Sequence, residues 1–87
     1  MSQDKTSLFE LKSIDTKITR DILNEVYVAL KERGYNPTNQ IVGYLISGDP
    51  GYISSYKDAR SKIQEIDRAK IVEILLEEFQ KENKWNI

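Results

Sequence analysis

The chain has 87 residues, a formal net charge of −1, 31% charged and 39% hydrophobic residues, and neither cysteine nor histidine. That size holds one small domain. Without imidazole or thiol it lacks the usual general base, the commonest metal ligands, disulfides and a cysteine nucleophile, and near-neutral charge denies it the positive field that nonspecific nucleic-acid or anionic-lipid binding needs.

In chain order, residues 1–13 read as a flexible N-terminal tail. Met1-Ser-Gln-Asp-Lys-Thr-Ser7 is polar, and Leu8, Phe9 and Leu11 follow without a helix cap. Asp15 reads as an N-cap. Ile18, Ile22, Leu23, Val26, Tyr27, Ala29 and Leu30 then recur at spacings of three and four, which predicts a first helix over 16–33. Lys31 and Arg33 suit its C-terminal dipole, and Gly34 ends it.

All four glycines, both prolines and four of the five tyrosines fall between residues 34 and 60. Asn36-Pro37 is a cap followed by a proline at the first helical position, so a second helix runs from 37 to about 46. Ile41, Val42, Tyr44, Leu45 and Ile46 cover more than one of its faces, which predicts a central, largely buried helix. Gly43, in its middle, is either a point of close helix–helix approach or a propensity defect. Ser47-Gly48 closes the helix, and Asp49-Pro50 opens a single turn through Tyr52 and Ile53. Ser54 or Ser55 caps a third helix over 55–65, with Tyr56, Ala59, Ile63 and Ile66 along its apolar edge. The stripe changes phase after Ile66 and Asp67 can cap again, which predicts a break at 66–67 and a fourth helix over 68–82. Residues 83–87 read as a C-terminal tail, in which Trp85 is large enough to dock. The expected fold is all-α, a compact bundle of about four short helices over 14–82. In a core of this size oligomerisation is a common supplement to stability.

The chemistry is sparse. Gly48-Asp-Pro-Gly51 lacks the Gly-Lys-Ser/Thr of a phosphate loop and reads as a turn. Ser47, Ser54 and Ser55 have no histidine to activate them. Glu73, Glu77, Glu78 and Glu82 read as a solvated acidic face, not a cation site. No catalytic residue, metal or cofactor is expected. Tyr44, Tyr52, Tyr56 and Arg60 form the expected interaction surface, because tyrosine carries an apolar body and a polar tip. A helix-turn-helix reader of nucleic acid is the alternative function, with helix 3 and its Lys57, Arg60 and Lys62 in the groove. Asp58, Glu65 and the net charge oppose it. No apolar run reaches membrane-span length and no signal-peptide core is visible, so a cytoplasmic protein is expected.

The words Gly34-Tyr-Asn-Pro37, Asn39-Gln-Ile-Val-Gly-Tyr44, Ser47-Gly-Asp-Pro50, Tyr52 and Asp58-Ala-Arg60 resemble the IreB family of small regulatory phosphoproteins of Gram-positive bacteria. The likeness extends through Val26-Tyr27 and Leu30 and through Ile71-Val72-Glu73. It implies a non-enzymatic, all-helical dimer that is the substrate of a transmembrane Ser/Thr kinase with extracellular wall-sensing modules, opposed by a cognate phosphatase. It further implies negative regulation of envelope-stress responses and cephalosporin tolerance through an unidentified downstream protein. The family's tail motif falls on Asp4-Lys5-Thr6-Ser7-Leu8-Phe9, so Thr6 inherits the phosphoacceptor role. Gln3 stands where some members carry a second threonine. A phosphate adds about −1.5 to −2 charges. It would either dock on Lys17, Arg20 or Arg60, or repel an acidic partner.

Overall fold

A computed structural model describes residues 5–84, with side chains from residue 14 onward. The order is α1 (Lys5–Glu32), α2 (Pro37–Ser47), a 3-10 turn (Pro50–Tyr52), a second 3-10 turn (Tyr56–Asp58), α3 (Ala59–Ile63) and α4 (Arg68–Glu82). The described residues contain no strand, and the all-helical expectation holds. The expectation for Trp85 lies outside the described residues.

The first helix is longer than predicted. No glycine or proline lies between residue 5 and Gly34, so nothing forces a break before Asp15. Asp15 is therefore an interior residue and not an N-cap. Its carbonyl accepts a 2.8 Å hydrogen bond from Thr19 Oγ1, the back-bonding typical of a threonine inside a helix. At the other end the predicted stop holds. Gly34 has φ 91°, Tyr35 N–H bonds Leu30 O at 3.0 Å and Gly34 N–H bonds Lys31 O at 3.0 Å. This pairing closes the last carbonyls of α1.

The cap-and-proline reading of α2 also holds. Asn36 Oδ1 accepts from Asn39 N–H at 3.1 Å. Gly48 sits at φ 78° and its N–H bonds Tyr44 O at 2.7 Å. The turn that follows is held by Asp49 Oδ1, which accepts from Gly51 N–H at 2.8 Å. Gly43 has a definite role. A Cβ there would lie 2.8 Å from Tyr52 Cε1 and 2.9 Å from Cγ. The close approach is made by an aromatic ring, not by a second helix.

The third helix is shorter than the predicted 55–65. Lys57 (φ 51°) and Asp58 (φ 62°) are both left-handed, a conformation that costs a side-chain-bearing residue about 1–2 kcal/mol. They bend the chain so that Ile53 and Ala59, six positions apart, both enter the core fully. Ser54 Oγ accepts from Tyr56 N–H at 3.1 Å, while Ser55 makes no side-chain cap. Only five residues of α-helix remain. The break at 66–67 is as predicted, with Asp67 Oδ1 accepting from Ala69 N–H at 3.1 Å.

Packing centres on α1. Val26, Ala29 and Leu30 meet Ile41 and Tyr44 of α2, Ile53 between the two 3-10 turns, Ala59 and Ile63 of α3, Ile66, and Ile71 of α4. α2, α3 and α4 all contact α1. Arg68, the first residue of α4, donates from Nη1 to Leu45 O at 2.9 Å and lays its guanidinium on Gly48. It thereby caps the C-terminal turn of a different helix.

Candidate interaction surface

The four residues expected to form one surface have different surroundings in the fold. Tyr44 is 6% exposed and belongs to the core. Tyr52 covers Gly43. Tyr56 is half-buried, with Arg33 Cζ 5.7 Å and Lys57 Nζ 5.6 Å from its ring centroid, so two cations share its π face. Arg60 donates from Nε to Ile53 O at 2.7 Å, which ties α3 to the preceding turn.

The basic residues considered for nucleic acid are likewise engaged. Lys57 pairs with Glu32 at 2.7 Å and Lys62 with Glu25 at 3.2 Å. The Glu32 carboxylate raises the Lys57 pKa through the hydrogen bond and its charge. These pairs border a shallow groove of about 360 Å³ floored by Val28 and Ala29, whose charges cancel in sign. A five-residue α3, with Lys57 and Lys62 each held by a carboxylate, is poorly suited to act as a recognition helix.

Thr6 lies in the first turn of α1; its side chain is outside the described set. At 1.5 Å per residue, a helix places it about 17 Å from Lys17 and about 21 Å from Arg20 along the axis. Lys17 already bonds Asp21 at 3.0 Å, and Arg20 pairs with Glu78. Docking of a Thr6 phosphate on either therefore requires the start of α1 to unwind.

Arg20 and Glu78 clasp α1 to α4 across a groove lined by Leu23, Tyr27 and Leu75. The Arg20 hydrogen bond, then its charge and that of Lys81, hold the Glu78 carboxyl below its usual pKa. A depressed folded-state pKa means that the clasp contributes fully above the unfolded-state value and is lost as pH falls through the folded one. Arg20→Gln should therefore move the Glu78 titration upward, toward an ordinary carboxylate, as followed by carboxyl-carbon NMR. An unmoved titration would mean the clasp is not populated in solution.

The surface that sequence reasoning missed is aliphatic. On α2, Val42 and Ile46 point outward, and Ile46 is 80% exposed. On α4, Ile71 and Ile74 are buried, while Val72, Leu75, Leu76 and Phe79 lie on the adjoining face about half exposed. The signal was present in the width of each apolar stripe, which exceeds what one small core can cover.

Among the described residues no helix is long and apolar enough to cross a membrane. Compared with models of known families, residues 4–81 match that of the IreB regulatory phosphoproteins. The match spans nearly the entire chain, and the protein belongs to this family of regulators.

Proposed function

We propose that the protein is a non-enzymatic cytoplasmic regulator, homodimeric, whose output is switched by phosphorylation of Thr6. The modifying enzyme is a transmembrane Ser/Thr kinase that senses the cell wall, and a cognate phosphatase reverses it. The regulator restrains envelope-stress responses and cephalosporin tolerance through a downstream protein. The family match is the observation that carries this reading, because its span of 4–81 takes in the Asp4-Lys5-Thr6-Ser7-Leu8-Phe9 phosphoacceptor motif. The chain's own chemistry agrees: with no histidine or cysteine, it is better equipped to be recognised than to turn over a substrate.

The test is direct. Purified protein is incubated with ATP and the catalytic domain of the host kinase, then mapped by peptide mass spectrometry. One phosphate on Thr6 is expected. Thr6→Ala should abolish incorporation, and the cognate phosphatase should remove the label. Incorporation that is unchanged in Thr6→Ala, or absent from the native chain, overturns the assignment.

A further inference from the structure

We propose that the segment 54–58 is a two-state joint: bent in the form described above, and straight in a less populated form in which α3 starts at Tyr56. Nothing in this depends on Thr6. The proposal rests on a helix-start signal that the bend leaves unused. Ser55-Tyr56-Lys57-Asp58 has the Ser-x-x-Asp spacing of a capping box, in which the serine caps the helix and the acidic residue three places on reaches back to it. In the bend neither residue plays its part: Ser55 makes no side-chain cap, and neither does Asp58. Both are exposed.

The backbone is strained at the same place. Lys57 (φ 51°) and Asp58 (φ 62°) are consecutive left-handed residues, each disfavoured about fivefold to thirtyfold against the right-handed form. Turning both to right-handed geometry makes 56–63 one helix. Tyr56 then falls in register with Ala59 and Ile63, at spacings of three and four, and it already packs against that cluster. Ala59 N–H exchanges Tyr56 O for Ser55 O, and Ser55 Oγ is placed to accept from Asp58 N–H.

What the straight form gives up is also defined. The bend holds Ile53 at 0% exposure, its carbonyl accepts from Arg60 Nε at 2.7 Å, and Lys57 pairs with Glu32. Exposing one isoleucine costs about tenfold to 150-fold in population. That is of the same order as the strain relieved at two residues, so the straight form belongs in the range of a minor state, on the order of 0.1–10%. The two forms display different surfaces, because the straight one uncovers Ile53 and releases the Arg60 guanidinium. A partner that reads this difference shifts the balance.

The experiment is NMR relaxation dispersion on the full chain, native and with Ser55→Ala, Asp58→Gly or Glu32→Gln. The native chain should show exchange over 53–60, with minor-state Cα shifts of Lys57 and Asp58 moved to helical values. Ser55→Ala deletes the cap of the straight form alone and should lower its population about fivefold. Asp58→Gly relieves the bend and weakens the helix, so it should lower that population at least fivefold. Glu32→Gln should raise it, by up to about fivefold. Ser55→Ala is decisive, because this hydroxyl caps nothing in the bent form and its loss does not alter simple fraying. Exchange with coil-like shifts at 57 and 58, or exchange that Ser55→Ala leaves unchanged, overturns the proposal. A flat profile in both the native chain and Glu32→Gln does the same.

Discussion

Leu30→Ala should remove about 2–5 kcal/mol of folding stability, the range for deleting a fully buried leucine side chain. Leu30 is fully enclosed and belongs to the cluster in which α1 meets α2, α3 and α4. Lost transfer energy and the resulting cavity act together, because a site walled by four elements cannot collapse without moving them. A domain of 87 residues holds only about 4–13 kcal/mol in total. The substitution therefore consumes from a sixth of that stability to all of it. Urea titration of native and variant chains at one protein concentration measures it, and the midpoint should fall with little change in slope. Fixed concentration matters because self-association shifts apparent stability. A loss below about 1 kcal/mol would be inconsistent with the packing described, since even Ile→Val in a core costs about that much.

Gly48→Ala should cost about 2–3 kcal/mol, for two separable reasons. The residue sits at φ 78°, where a Cβ costs about 1–2 kcal/mol. The new methyl would also lie 3.0–3.1 Å from the Arg68 guanidinium and push it off Leu45 O, a charged hydrogen bond whose value is reduced by its exposure. The two parts can be told apart. Gly34, at φ 91°, has no atom within 4 Å of a would-be Cβ, so Gly34→Ala reports the backbone part alone. In an Arg68→Ala background the cost of Gly48→Ala should fall toward that of Gly34→Ala, a coupling that a double-mutant cycle resolves. Equal costs in the native background would mean that Arg68 does not hold the two helices together.

What could be read from sequence was the chemistry of the joints. Asn36-Pro37, Gly48, Asp49-Pro50 and Asp67 each act through a bond to a residue two to four positions away, so a local reading locates them. The failures fall where the local signal was incomplete. Asp15 carries the chemistry of a cap, yet no breaker precedes it and α1 continues back to Lys5. Lys57 and Asp58 adopt left-handed geometry without being glycine, and no local propensity predicts that. Tyr44 and Tyr52 belong to similar words in the sequence, but one is enclosed by the core and the other roofs a glycine. The breadth of the apolar stripe on α2 was visible, while the side that would stay uncovered was not. For the candidate site, Thr6 came from the resemblance of the tail motif, whereas the exposed aliphatic side chains of α2 and α4 emerged only once the packing against α1 was known.

Because α2, α3 and α4 each lean on α1 more than on one another, the molecule is built like a wheel with one hub. The middle of α1 is released only when every spoke has gone. Backbone amides at 26–30 therefore share the lifetime of the whole fold.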